Sequence, residues 1–595
     1  ALSSVSASLS GSSSVCTTCV GGTATESHTD GGPVTHQWGY RTTSGGPITD
    51  IPGQTGPSYV LNGSDFPGPG SYFLVVRTTP LCGPTLISNE IGVTVTLSAP
   101  GDDVAFFTVT SRSTENVLEW VNPAGYNTVS IHATSGPTCT PPSDPLNITT
   151  WVADEVGLAG QRDRFPHGGL TNDVTYCYTL FVDTGGGYSA GRSNRGRPMK
   201  ATDPVKWAFS TGVFTLTAPT VSGAGVIATS NDYVVHSVER GPLPPGGEWP
   251  ASWLPVPVDG PIQSRSPVVP ITVNGANPVV FLGTLGGSIY AIDAVRGATA
   301  APTPWSPAST SIAPEVQAAP AGIFSAFGGT YDYLLVGTRQ ADNALVALDP
   351  LSGAELDRFE NVATPIGVIN AMASVDYSTK RVYFTSFEHP TGSTMTLWAL
   401  QLGNSPIFTP AWPMPRALGS IESSPVLMGD SVYVGTPLGV PTGGTLYAVD
   451  AASGNPGLDR TFYHGDGQVK DFVFPDWRNS DLYFATDSFV WALHDDESMI
   501  TNQFPSLPPP GGIELAPGVV PTSGVLFVPG SHYLYVGGSD GQLYEIDLLG
   551  APDINSVTLG DGLATVGSPS LDRTNNLVLV GTEAGVFYAV AVPLP

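Results

Sequence analysis

The chain has 595 residues, 50 acidic against 22 basic, for a net charge of −28, with 41% hydrophobic residues, 71 glycines and 56 prolines. That charge excludes nucleic acid as a partner, because phosphate backbones would be repelled, and the apolar fraction excludes a disordered chain in favour of turn-dense β structure. No uninterrupted apolar run approaches the roughly 20 residues of a membrane helix, so no membrane span is expected.

Ala1 stands where an initiator Met would be, as removal of a signal peptide or any other cut would leave it. Residues 1–98 read as a β-sandwich. Trp38, in His36-Gln37-Trp38, has the place of a tryptophan buried on the third strand. Gly70-Ser71-Tyr72-Phe73-Leu74-Val75-Val76 has the form of a strand that opens on a tyrosine corner. These residues resemble immunoglobulin-like domains, and the resemblance implies that Cys19 and Cys82 are paired. Residues 99–200 resemble a fibronectin type III module, on Leu118-Glu119-Trp120 and on Gly169-Leu170 followed by Thr175-Tyr176-Cys177-Tyr178. Cys139 is the partner this second resemblance implies for Cys177. Residues 201–204 read as a short linker.

All five cysteines lie before residue 178. Two pairs leave Cys16 over, free to compete for Cys82, to bond Cys19 or to reach another chain. Cys16-Thr17-Thr18-Cys19 precedes no helix in an α/β setting, and Val20 rules out the histidine of c-type haem attachment. Structural disulfides place the protein outside the cytoplasm, secreted or at the cell surface.

Residues 201–595 read as one domain, in which a single pattern recurs eight times between residue 220 and the C-terminus. An apolar pair runs into a small residue and Thr or Gly, then a turn, then a strand that often ends in Asp. The anchors are Thr229, Thr284, Thr338, Thr385, Thr436, Thr486, Gly538 and Thr582, spaced 55, 54, 47, 51, 50, 52 and 44 residues apart. A period near 50 means a repeat architecture. Upstream sits a strand with Ser-Pro or Ala-Pro (Ser266-Pro267, Ser424-Pro425, Ser568-Pro569), and an inner hairpin such as FLGTLGGSIYAID follows. A downstream strand carries an aromatic: Trp305, Phe359, Trp412 or Phe462. Four strands make one propeller blade. The last copy ends after three, while Val205-Lys206-Trp207-Ala208-Phe209-Ser210 is unassigned and has the outer-strand pattern. It is expected to complete the eighth blade and so remove an exposed edge. The fold class is therefore all-β, an eight-bladed propeller C-terminal to two sandwiches.

The repeats resemble those of pyrroloquinoline-quinone propellers, a family of alcohol dehydrogenases, outer-membrane assembly factors and surface proteins. A quinone enzyme of that family would carry a calcium site and commonly a vicinal disulfide. This propeller region has no cysteine, so no cofactor is expected. His494-Asp495-Asp496-Glu497 is the most charged run, and its position after a strand makes it a solvated turn rather than a metal site. Asp293, Asp349, Asp450 and Asp547 recur at one position of the repeat, which makes them turn-capping residues rather than catalytic ones. No zinc-protease, calcium-loop or hydrolase-elbow motif occurs. Asn62-Gly63-Ser64 and Asn147-Ile148-Thr149 fit the glycosylation sequon. The expectation is a non-catalytic extracellular adhesin, filament- or pilus-associated subunit or scaffold. Its partner is a protein, cell surface or filament, and it can form a homo-oligomer or fibre. The alternative is a secreted or periplasmic propeller enzyme, a quinone-dependent oxidoreductase or hydrolase, with its site in the central channel.

Overall fold

The computed structural model describes residues 2–595 except 11–12, 17–19, 30–32, 68–69, 82, 97–102, 184–187, 214–216, 223–224, 240–254, 263–268, 273–277, 295–304, 306–308, 324–331, 340–342, 361–363, 391–392, 438–443 and 506–510. Cys19, Cys82 and Ser266-Pro267 lie outside the described residues. The described elements are strands apart from two single-turn 3₁₀ helices. No described helix is long and apolar enough to cross a membrane.

Residues 4–96 form two sheets that face each other. Strands Ser4–Ser10, Val20–Thr29 and Ser58–Asn62 make one; Val34–Arg41, Gly70–Pro80 and Ile91–Thr96 are the centre of the other. Alternation along the strands sends Ala24, Trp38, Tyr59, Leu74 and Val76 into one shared core. Trp38 satisfies its indole by donating from Nε1 to Gly56 O at 3.0 Å.

The second module repeats this plan. Trp151–Glu155, Thr128–Ser135, Tyr176–Asp183 and Arg192–Gly196 form one sheet, across a core of Trp120, Ile131, Tyr178 and Leu180. Cys139 and Cys177 are disulfide-bonded across 38 residues of sequence, a loop whose closure contributes about 4 kcal/mol on the chain-entropy account.

The facing sheet does not stop at the module. Arg162–Gly168, Glu115–Val121 and Ala105–Arg112 continue through Val205–Ser210 into Val586–Ala591, Leu577–Gly581 and Ser570–Asp572. Val205–Ser210 therefore has a partner on each side, Ala105–Arg112 and Val586–Ala591. Residues 201–204 are thus a tight turn into a shared sheet, and no free hinge separates module from repeats.

Among the described residues, seven four-stranded antiparallel sheets follow in chain order, from Thr220–Ser222 to Asp553–Thr558. Each buries both faces. Val280, Leu282 and Ile292 pack back on Ile227 and Val235, while Val279, Phe281 and Ala291 pack forward on Leu334 and Val336. The same two-sided packing joins every later pair. It then returns to the start, where Phe209, Leu579 and Phe587 meet Val226, Ala228 and Val238. A succession of sheets that packs face to face and closes on itself is a β-propeller.

The repeat pattern has two local causes. The buried Thr ends the inner strand and closes its hairpin: Thr284 N donates to Ser288 O at 3.0 Å and Thr436 N to Thr445 O at 2.9 Å. At the Asp-x-x-x-Gly turn, Gly353 and Gly454 have φ of 74° and 64°, and a Cβ there would strike the rings of Trp305 and Trp412. These two tryptophans dock on the next repeat's turn, donating from Nε1 to Pro350 O and Ala451 O at 3.0 Å each. Phe359 and Phe462 lie within outer strands, whereas Trp305 and Trp412 flank theirs.

Charge is buried where the second module meets the propeller. Leu118 and Trp120 face the module's core, so Glu119 faces away from it, toward a narrow space lined by Phe209, His236 and Pro255. Arg162 Nη2 lies 3.0 Å from its Oε2. Burial pushes the Glu119 carboxyl from an ordinary 4.5 up to about 7, against the pull of Arg162 and Arg164. Between those values the native state holds a proton the unfolded chain has released, so stability falls as pH rises through that window. The expected loss is roughly 2–3 kcal/mol. Thermal unfolding followed from pH 4.5 to 7.5 should show the decline, and Glu119→Gln should flatten it. An equally steep decline in the Gln variant would remove Glu119 as its source.

Candidate functional site

The charged run at 494–497 divides rather than converges. His494 Nδ1 contacts Asp481 Oδ1 at 2.9 Å. Asp495 turns inward and is buried against Arg460 and Tyr433. Asp496 accepts from the Ser498 hydroxyl at 2.7 Å, from Met499 N at 2.8 Å and from Ser498 N at 2.9 Å, and these bonds hold its carboxyl down at about 2. The solvated-turn expectation fits Asp496 and fails for Asp495, because the strand Val490–Asp495 takes in His494 and Asp495, two residues further than the turn pattern implies.

The periodic aspartates serve their own turns. Asp349 accepts from Leu351 N and Ser352 Oγ at 2.8 and 2.7 Å, Asp450 from Ser453 N and Oγ at 2.7 and 2.6 Å, and Asp547 from Leu549 N at 2.8 Å. Asp293 is buried at the end of its strand. Of the cysteines named from sequence, Cys139 and Cys177 are brought together.

Two surfaces that sequence reasoning passed over stand out. A cavity of about 380 Å³ lies at the seam of second module and propeller, lined among others by Arg195, Arg197, Met199, Asp561 and Tyr588. Arg197 crosses the seam, donating from Nη1 to Gly560 O at 2.6 Å. Burial raises the Tyr588 hydroxyl well above its ordinary value, so it stays a neutral donor.

The other is the edge strand Trp151–Glu155, paired among the described residues on one side only, with Thr128–Ser135. Trp151 is 52% exposed and Ile148 86%, and Leu146, Val156 and Leu158 are exposed beside them in sequence. Asp144 and Asp154 are exposed in the same segment. Asn147 Oδ1 accepts from Thr149 N at 3.0 Å, which fixes the turn that presents Ile148. The available signal was apolar residues set singly in the polar, proline-rich stretch 140–150, where no core periodicity explains them. An apolar edge with free backbone groups can accept an added strand.

No protein-family model matches the sequence, and no curated protein does. Among solved structures the chain is similar to BamB from Moraxella catarrhalis, at 16% identity over 62% of this chain and 94% of that one, with a TM-score of 0.41. It is also similar to the β-propeller domain of Cps50 (Swd1) from Myceliophteria thermophila, at 13% identity over 53% and 93%, with a TM-score of 0.35. At these values the likeness concerns the fold alone.

Proposed function

We propose that the chain is a non-catalytic extracellular or cell-surface binding protein. An immunoglobulin-like sandwich at 1–98 and a fibronectin type III-like one at 99–200 carry an eight-bladed propeller of quinoprotein-type repeats at 201–595. The exposed edge Trp151–Glu155 supports this reading above all. A monomer that left such an edge bare would invite pairing with unrelated chains, so the strand is best understood as an interface. Its exposed carboxylates, Asp144 and Asp154, favour a partner segment that carries lysine or arginine beside apolar side chains. The continuous sheet through Val205–Ser210 supports a rigid scaffold, since force on the second module passes into the ring without a flexible joint. The Cys139–Cys177 disulfide supports an oxidising compartment.

A photo-crosslinking residue at position 151 of the full chain, exposed to the native cell surface, should yield one discrete protein adduct. Ile148→Asp should remove that adduct. A diffuse ladder that Ile148→Asp leaves unchanged would overturn the interface.

A further inference from the structure

Side chains alternate along Val20–Thr29, so Ala24, Glu26 and His28 share its inward face. On the opposed sheet Trp38 and His36 do the same along Val34–Arg41, as do Val76 and Thr78 along Gly70–Pro80. Ala24, Trp38 and Val76 belong to the apolar core. One step along each strand, that layer is replaced by Glu26, His36 and Thr78, the last two directly paired across strands. His28 stands one step further out, at the mouth.

The Glu26 side chain is only 2% exposed, and its ion-pair partners among the described residues are these two histidines. His28 Nδ1 lies 3.0 Å from Oε1 and His36 Nε2 lies 3.1 Å from Oε2, while Thr78 Oγ1 donates to Oε1 at 3.2 Å. One ligand atom from each of the three groups falls within 4.8 Å of the other two.

We propose that Glu26, His28 and His36 form a zinc site bridging the two sheets of the first module. Zinc bonds of about 2.0–2.1 Å imply ligand-to-ligand edges of about 3.4 Å in a tetrahedron, so small side-chain rotations suffice to enclose the ion. Two imidazoles with one carboxylate suit zinc better than calcium or magnesium, which prefer all-oxygen shells. Thr78 supplies the supporting hydrogen bond that orients a ligating carboxylate. Three protein ligands leave a fourth position toward the mouth beside His28, open to water or to a donor from a bound molecule.

The test uses the full chain, stripped with chelator and titrated with Co²⁺, then Zn²⁺. One equivalent of cobalt should give the visible absorption of a tetrahedral site, and one equivalent of zinc should abolish it and raise the melting temperature. His28→Ala, at the partly exposed mouth, and His36→Ala should each lose the signal, while Glu26→Gln should weaken cobalt binding at least about tenfold, the loss that removing even a supporting partner brings. His532→Ala, a control for surface histidines, should retain it. Near-ultraviolet dichroism of the His28 variant verifies that loss of binding is not loss of fold. No cobalt uptake by the wild type, or uptake that survives both histidine variants, overturns the site.

Discussion

Deleting residues 201–211 is expected to make the protein aggregate and to abolish a single cooperative unfolding transition for the propeller. The strand removed, Val205–Ser210, bonds to Val586–Ala591 on one side and Ala105–Arg112 on the other. Its loss bares two central edges at once, each a template for pairing with another chain. It also strips Trp207 and Phe209 from the cluster in which the last sheet meets the first. Phe209→Ala is the milder form of the same experiment. Phe209 is fully buried against Val226, Val238 and Phe587, so truncation should cost about 3–5 kcal/mol, read as a lower urea midpoint. Leu549→Ser, at an exposed turn, is the matched control and should shift little. A soluble deletion variant with an unchanged melting profile would mean that the strand does not close the ring.

The repeats were legible because their cause is local and recurs. A buried Thr that closes the hairpin recurs in seven of the eight copies, with Gly538 in its place in the other, and the glycine under a tryptophan ring recurs at Gly353 and Gly454, so both leave a period in the sequence. The closing strand was legible by elimination, as an outer-strand pattern without a blade. Its second partner was not, since nothing in Val205–Ser210 says that Ala105–Arg112 lies beyond it. Glu26, His28 and His36 were also hidden. Glu26-Ser27-His28 shows the period-2 spacing of one strand face, but His36 sits on the other sheet and joins them only when the two sheets stack. Edge Trp151 left a faint trace, a large apolar residue after a polar loop, which reads equally well as core until its exposure is known.

Arg460→Ala should destabilise the propeller by about 3–5 kcal/mol, although Arg460 touches no candidate site. Asp495, on the sixth sheet in chain order, is 1% exposed at its side chain and accepts from Arg460 Nη2 at 2.7 Å and Nε at 2.9 Å. Arg460 lies on the outer strand of the fifth sheet, and Tyr433, on an inner strand of that same sheet, donates its hydroxyl to Asp495 at 2.6 Å. The pair therefore fastens two neighbouring sheets, as the buried Arg416–Asp459 pair does between the fourth sheet and the fifth. Removing the guanidinium leaves the carboxylate buried with only Tyr433 and the Glu497 amide as donors, and neither carries charge. Asp495→Ala should cost less, because Arg460 keeps access to water at 19% exposure. The double variant should then cost well under the sum of the two single ones, with a coupling of about 2–3 kcal/mol from urea unfolding. Strict additivity would show that the two residues act independently, and that the sheets hold together here without the ion pair.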